Sequence, residues 1–168
     1  MKNSAMLLGG TVLMHNSGSA QSKGKAAAGT FKLDYAPHQG MFAASAGKSF
    51  VDEIKYMHDL GFRSIEDNGM TGRSVAEQTQ IGETLAKLGM RMGVFVVDKG
   101  GNGANTLAAG KAEFVDIFLK GCKQAVEVSK RVNAKWVTVV PGDYARNLSI
   151  GVQTGNVIEA LKRGAEIL

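Results

Sequence analysis

The hydrophobic and polar positions along the chain repeat one unit, an apolar strand with a polar tip followed by an amphipathic helix. The unit is clearest where a short predicted strand at Phe62–Ile65 gives way to Glu66, Asp67 and Asn68. Polar side chains at the carboxyl ends of parallel strands are where barrel enzymes place their active sites. The number of such units therefore bears directly on the kind of domain that the chain forms.

The pattern predicts four strands. The third has no polar residue between Met92 and Val97, and such a run is typical of a strand covered on both faces within a parallel sheet. The second and third strands each begin just after a Leu-Gly pair, at residues 60–61 and 88–89. The predicted strands are Phe31–Ala36, Phe62–Ile65, Met90–Val97 and Trp136–Val140.

Apolar residues recur at helical spacing after each strand, which predicts four helices. Ser49 is a plausible N-cap with two acids in the first turn behind it, and Gly61 and Gly89 are typical helix stops. Because each helix must carry the chain back over the sheet, the strands are expected to be parallel. The predicted helices are Phe50–Leu60, Ser74 or Val75 to Leu88, about 111–132, and about 154 to the end.

Length and composition fit a single globular α/β domain. The chain has 168 residues, 44% of them hydrophobic and 21% charged, which is ordinary for a domain that buries a core. The net charge of +5 includes three lysines and no acid in the first 29 residues, which leaves +2 for residues 30–168. This scattered charge does not favour nucleic acid as a partner. The single cysteine, Cys122, excludes an internal disulfide and is interpreted as a packing residue.

Residues 1–29 are predicted to be an export signal and flexible leader, and residues 30–168 the folded domain. Lys2 precedes an apolar run, Ala5–Met14, that is shorter than the roughly 20 residues of a membrane span. Small residues follow, with Ala20 as the expected last residue removed. The run Lys2–Gly10 is similar to the segment after the twin arginines of Tat signals, although the arginines themselves are absent. We therefore expect export to the periplasm and no membrane contact after cleavage; a disordered tail on a cytoplasmic protein is the alternative.

Two glycine motifs suggest phosphate binding, and neither matches a known pattern. Gly47-Lys-Ser49 lacks the glycine that a phosphate loop needs five residues earlier, where Phe42 stands. Gly100–Gly103 could approach a sugar or phosphate through its amides, but its spacing is not that of a dinucleotide fingerprint. A mobile loop is the better interpretation of the second motif.

Polar residues that follow the predicted strands are the candidate substrate-binding groups. For His38, a surface loop histidine is the alternative interpretation. For Glu66, the alternative is a structural ion pair with a cation such as Lys99. Asp98 and Asp143 occupy equivalent positions at the third and fourth strand tips, and similar alternatives apply to them. Lys99 and Arg146 could serve an anionic substrate, although both lie on loops where solvation is the default. The candidates are His38, Glu66, Asp98 and Asp143.

The four candidate residues do not form a recognisable set of metal ligands. It has one histidine and neither a His-x-x-x-His nor a Glu-x-x-His pair. No metal ligand is therefore assigned from these residues.

Four segments together resemble a known family. Phe31–His38, Leu60–Gly69, Gly93–Asp98 and Trp136–Gly142 are similar to the amino-terminal half of the sugar-phosphate isomerase and epimerase family of xylose isomerase-like TIM barrels. The nearest likeness is to hydroxypyruvate isomerase-like proteins. It covers nearly all of residues 31–168 and is a whole-pattern similarity.

The resemblance implies a TIM-barrel-type (βα)4 half-barrel that is incomplete without a carboxyl-terminal half. Family members bind a divalent metal, usually Mg or Mn, and move a proton between adjacent carbons of a ketose or hydroxy-aldehyde. Their acid/base and metal-holding glutamates lie near the fifth and eighth strands, so the catalytic residues are expected beyond residue 168. What this chain can inherit is the substrate-binding rim, with His38 and Glu66 more securely placed than Asp98 and Asp143.

Three functions follow as hypotheses. The first is the amino-terminal half of an exported sugar or hydroxy-carbonyl isomerase or epimerase, inactive alone. The second is a non-catalytic sugar-binding or self-associating half-barrel, and the third a flavodoxin-like domain with helices on both sheet faces. Because an open sheet of four parallel strands leaves two edges unpaired, we expect the chain to be marginally stable or to pair as a homodimer.

Overall fold

The computed structural model of the protein describes residues 31–168, so the predicted leader lies outside the described residues. This part of the chain contains five helices and two short strands, with two helices before the first strand, one between the strands and two after the second. The helices are α1 (Ala43–Ala46), α2 (Phe50–Asp59), α3 (Val75–Leu88), α4 (Ala112–Val132) and α5 (Ile150–Ala165). The strands are β1 (Ser64–Ile65) and β2 (Arg91–Met92), and 3₁₀ turns lie at Met70–Gly72 and Leu107–Ala109.

The extended segments lie side by side in chain order and run in the same direction. β1 pairs with β2 in parallel, with Ser64 opposite Arg91. Two isolated parallel bridges, His38 with Glu66 and Val96 with Thr138, add a first and a fourth segment. The predicted order and parallel orientation of the four βα units are therefore confirmed.

The regular strands are shorter than predicted, and the two outer ones are absent as strands. Phe31–Ala36 contains no strand, and the first segment pairs only at His38. Trp136–Val140 likewise pairs only at Thr138, and the third segment is regular only at Arg91–Met92. Within the described residues, the outer segments have a neighbour on one side only, so half of the ladder bonds that would keep them regular are missing.

The predicted helices are confirmed, and local capping sets their bounds. The Ser49 side chain accepts from the Asp52 amide, as predicted, and Ser74 forms a capping box with Glu77 at the start of α3. α5 begins four residues earlier than predicted, at Ile150, because the Ser149 side chain accepts from the Val152 amide. Gly89 ends α3 in the left-handed conformation, which a glycine adopts at little cost.

The core lies between the parallel segments and helices α2 to α5. Phe95 from the third segment and Phe118 from α4 are fully buried in it, with Ile54, Ile81 and Val128. Cys122 is also fully buried, and burial raises the pKa of its thiol to about 11. The interpretation of this cysteine as a packing residue is confirmed. Within residues 31–168, no helix combines the length and the apolar character that a membrane crossing requires.

Glu53 of α2 has a role beyond that of a first-turn acid. It is 2% exposed, and its carboxylate accepts hydrogen bonds from the amides of Gly40 (3.0 Å) and Phe42 (2.8 Å). A carboxylate that receives two amide protons is a strong acceptor. Helix α2 therefore fixes the turn that follows the first segment, directly beside His38.

Candidate functional site

His38 and Glu66, two of the predicted site residues, are brought together by backbone pairing at the carboxyl ends of adjacent segments. The Gln39 amide donates to the Glu66 carbonyl and the Glu66 amide donates to the Pro37 carbonyl, each at 2.9 Å. Because successive residues of a strand point to opposite faces, two directly paired residues place their side chains on the same face. The first two candidates are therefore neighbours.

The contacts of the His38 ring assign its tautomer. Nδ1 lies 2.7 Å from the Gln39 carbonyl oxygen, which can only accept, so Nδ1 carries the proton. Nε2 accepts a long hydrogen bond of 3.4 Å from the Asn68 amide. The imidazole thereby links the turn after the first segment to the loop after β1, and both of its ring nitrogens are engaged.

Among His38, Glu66 and Asp98, Glu66 has the least committed side chain. It is half-buried, and no hydrogen bond or ion pair to its carboxylate is found within residues 31–168. The alternative of an ion pair with Lys99 is wrong, because the ammonium group of Lys99 binds carbonyl groups of its own loop instead. Its position at the strand tip leaves the Glu66 carboxylate able to accept a hydrogen bond from a ligand hydroxyl.

Asp67 is the buried acid that the sequence analysis did not single out. It is 1% exposed, its Oδ2 lies 2.6 Å from Arg73 Nε, and its Oδ1 accepts from the Gly69 amide at 3.0 Å. The Arg73 guanidinium also lies over the Phe50 ring, 4.7 Å from its centroid. Asp67 therefore holds the tip loop to the helices behind it. A signal was present, because Asp67 follows the buried Ile65 by two residues and so shares its face.

Asp98 lies at the edge of a cleft between the tips of the second and third segments. The cleft has a volume of about 310 Å³. The Asp98 carboxylate accepts from the Gly100 amide at 2.8 Å, which shapes the start of the glycine-rich loop. The polar residues lining the cleft are Asn68, Thr71, Asp98 and Asn102. Since Asn68 also contacts His38, it connects this cleft to the His38 and Glu66 pair.

Asp143 lies in a neighbouring cleft and does not join the other three. That cleft, of about 780 Å³, is also lined by Tyr144 and Arg146. The Asp143 amide and carbonyl bond to the Gly103 carbonyl and the Thr106 hydroxyl, so the residue braces the far side of the glycine-rich loop. The structure therefore separates the predicted rim into two clefts with one loop between them.

The buried ammonium group of Lys99 holds the glycine-rich loop in place. It is 3% exposed, and its ammonium group donates to the carbonyls of Gly101, Asn102 and Ala104. Burial lowers the pKa of Lys99 below its ordinary value, and the Asp143 carboxylate acts in the opposite direction. The interpretation of Lys99 as a solvated loop cation is wrong, because three carbonyl acceptors replace water around its charge. The mobile loop expected at Gly100–Gly103 is thus closed around a buried cation.

Replacing Lys99 with methionine is expected to lower the free energy of unfolding by about 1–3 kcal/mol, because three carbonyls lose their donor. Limited proteolysis should then cut the loop 98–105 faster, and urea denaturation followed by circular dichroism gives the free energy. Lys120→Met is the matched control: Lys120 is exposed on α4, so its loss should change stability by no more than about 0.5 kcal/mol. Equal effects of both substitutions would contradict the role given to Lys99.

The described residues do not fit a metal ion by themselves. Within residues 31–168, no group of three or more histidine, cysteine, aspartate or glutamate side chains is close enough together to hold one. We therefore derive no metal-dependent step from this part of the chain.

Comparison with known proteins gives the fold. No protein-family model matches the chain, and no curated protein matches it significantly. The structure is similar to an AP endonuclease of family 2 from Brucella melitensis, with a TM-score of 0.61 and 15% identity over 78% of this chain and 49% of that one. It is also similar to a D-psicose 3-epimerase crystallised with D-fructose, with a TM-score of 0.59 and 12% identity over 80% of this chain and 50% of that one.

Both of these proteins are TIM barrels, and this chain spans about half the length of each. At such low identities the likeness concerns the fold alone. The described residues therefore have the fold of part of such a barrel, in agreement with the half-barrel expected from the sequence.

Proposed function

We propose that this chain forms the substrate-side half of a sugar or hydroxy-carbonyl isomerase or epimerase of the hydroxypyruvate isomerase-like kind. The observation that carries the proposal is the pairing of His38 with Glu66 at the carboxyl ends of adjacent parallel segments. In this fold, the carboxyl ends of the strands carry the active site. The likeness to a D-psicose 3-epimerase supports a sugar as the substrate class.

The proposed role of these residues is to hold and orient hydroxyl groups. The half-buried Glu66 carboxylate accepts a hydrogen bond from one substrate hydroxyl, and the His38 ring beside it holds the two neighbouring loops in place through Gln39 and Asn68. Asn68 and Asn102 offer amide groups at the adjoining cleft. Holding the hydroxyls fixes the substrate carbon that loses its proton, and such orientation lowers the barrier of a proton transfer.

The proposal assigns the proton-transferring groups to the other half of the barrel. A divalent metal, expected for the complete barrel from the family resemblance, would polarise the substrate carbonyl there. Within residues 31–168 the structure offers no ligand cluster for it, so no residue of this part of the chain is assigned to the metal.

Ligand binding by the whole chain tests the substrate-side role. Titrations with D-fructose, D-psicose and hydroxypyruvate, followed by ligand-observed NMR, are expected to show binding to at least one of them. Glu66→Gln should weaken that binding about tenfold, since one charge-assisted hydrogen bond becomes a neutral one. Glu83→Gln, an exposed glutamate on α3, is the matched control and should leave the affinity unchanged.

The outcomes separate the proposal from its alternatives. No binding of any of the three compounds, or equal effects of the two glutamate substitutions, would contradict the role of Glu66. Conversion of the ligand when a carboxyl-terminal barrel half and Mn²⁺ are added supports the isomerase. Binding that a chelator leaves unaffected, without any conversion, supports a non-catalytic sugar-binding half-barrel.

Export remains a proposal of its own, because residues 1–29 lie outside the described part of the chain. Cell fractionation with an antibody against the folded domain would locate it. A periplasmic product shorter by about 20 residues would agree with an export signal cleaved after Ala20. A full-length cytoplasmic product would contradict it.

A further inference from the structure

Gln78 is a buried polar residue on the apolar face of α3. It is 2% exposed and shares that face with the buried Ile81. Its Nε2 donates to the carbonyls of Met70 and Arg73, each at 3.0 Å, and its Oε1 accepts from Arg131 Nη1 at 3.0 Å. Because carbonyls only accept and a guanidinium only donates, these partners fix the orientation of the amide. Gln78 therefore ties α3 to a turn on one side and to α4 on the other.

The turn that Gln78 holds is a wall of the candidate cleft. Its two carbonyl partners lie at the two ends of the 3₁₀ turn Met70–Gly72. From this turn, Thr71 and Gly72 line the cleft of about 310 Å³. Gln124 of α4 adds a third support, because its amide donates to the Thr71 carbonyl at 3.0 Å. Side chains that lie outside the cleft thus determine where this wall stands.

The helix that carries Gln78 has a fixed position of its own. One helical turn further along α3, a Cβ added at Gly82 would collide with the Arg131 carbonyl oxygen and lie 3.2 Å from Val132 Cα. Backbones in such close contact leave no room for α3 to shift against α4. Because this contact involves no polar side chain, Gln78 projects from a rigid support even without its bond to Arg131.

From these contacts we propose that Gln78 is a positioning residue for ligand binding at the cleft. It holds the 3₁₀ turn where Thr71 meets a ligand, and the inference rests on the proposed function because it concerns the same substrate-side cleft. Thr71 Oγ1 lies 3.5 Å from the Val96 carbonyl oxygen, which is too long for a strong hydrogen bond and leaves the hydroxyl available to a ligand. A wall that is held before binding adds no ordering cost when the ligand enters.

Gln78→Glu tests the proposal, because it keeps the size of the side chain and the acceptor for Arg131 but replaces the amide donor with an oxygen. The carbonyls of Met70 and Arg73 then face a carboxylate, and the turn should loosen. Titration of the full chain with D-fructose and D-psicose, followed by ligand-observed NMR, should show an affinity lowered at least about fivefold. Amide hydrogen exchange over residues 68–73, measured by mass spectrometry, should become faster.

Two comparisons separate positioning from a general structural effect. Gln80→Glu makes the same change at an exposed position of α3 and should alter neither the affinity nor the exchange. Arg131→Met breaks the bond of Gln78 to α4 and keeps both bonds to the turn. It should lower the melting temperature but change the affinity by less than about twofold.

The outcomes distinguish this inference from the proposed function. Circular dichroism checks folding, and Gln78→Met, which buries no charge, replaces Gln78→Glu if that variant does not fold. Sugar binding that the folded Gln78 variant leaves unchanged, or that Gln80→Glu weakens equally, would overturn the inference and leave the proposed function standing. If the wild-type chain binds neither sugar, the proposed function fails. The exchange measurement then decides, and equal exchange in the Gln78 and Gln80 variants would overturn the role of Gln78.

Discussion

Gly121→Ala is expected to lower the free energy of unfolding by about 1–3 kcal/mol, because a methyl group has no room between α4 and the third segment. A Cβ at this position would collide with the Asp98 carbonyl oxygen and lie 3.0 Å from Val97 Cγ1. The oxygen belongs to the backbone, so a side-chain rotation cannot relieve the contact. Either α4 retreats from the core or the tip that carries Asp98 and Lys99 moves.

Gly155→Ala in α5 is the matched control, because no atom lies within 4 Å of its added Cβ. At this site the better helix propensity of alanine should stabilise the protein by about 0.5–1 kcal/mol. Urea denaturation followed by circular dichroism measures both variants. Stabilisation by both substitutions would show that α4 does not approach the third segment as closely as described.

A second large effect is expected for Asp67→Ala, which leaves the guanidinium of Arg73 without its partner. Breaking a buried ion pair from one side costs about 3–5 kcal/mol, and the 20% exposure of the Arg73 side chain places this pair at the lower end of that range. Even that loss is a large share of the roughly 5–15 kcal/mol that hold a typical domain together. The tip loop also loses the bond to the Gly69 amide. We therefore expect a large unfolded fraction and a strongly lowered melting temperature, measured by circular dichroism.

Two comparisons separate a lost ion pair from a general effect of removing an acid. Asp59→Ala removes an exposed aspartate from the end of α2 and should change stability by no more than about 0.5 kcal/mol. In a double-mutant cycle with Arg73→Met, the loss should be smaller than the sum of the two single losses. Additive losses would mean that Asp67 and Arg73 do not depend on one another.

The order of elements could be predicted from sequence because local signals carry it. Ser49 and Ser74 are each followed by acids that complete the helix cap, and Gly89 lies at the end of a helix, where the backbone adopts the left-handed conformation. Such caps involve residues only a few positions apart, so the sequence contains both partners of each contact. The helical connections between strands then imply that the strands are parallel. His38 and Glu66 end neighbouring parallel segments, so they are expected to lie side by side.

The rest could not be predicted because it depends on contacts between distant residues. Glu53 follows the pattern of a helix-start acid, and only the packed structure shows that its carboxylate binds the amides of Gly40 and Phe42. Lys99 is a different case: its carbonyl partners lie only two to five residues away, but a glycine-rich loop can adopt many conformations, and the sequence does not indicate the one that closes around the ammonium group. The lengths of the outer strands also depend on what lies beside them, and the sequence of a single segment does not contain that information.

The position of the candidate site could likewise be predicted only in part from the sequence. His38, Glu66 and Asp98 end segments that are neighbours, and their approximate position follows from counting strands. Asp143 also ends a segment, but the loop at residues 98–106 lies between it and the others and creates a second cleft. Their role in substrate binding stays a prediction until ligands are tested.

The buried ammonium of Lys99 has a consequence for any ligand that enters the cleft beside it. Many loops that surround a ligand become ordered only on binding, and the lost conformational entropy then reduces the affinity. Here the chain supplies its own central charge, and the loop carbonyls are already satisfied by it. The wall of the cleft is thus shaped before a ligand arrives, and little of the binding free energy has to be spent on arranging it.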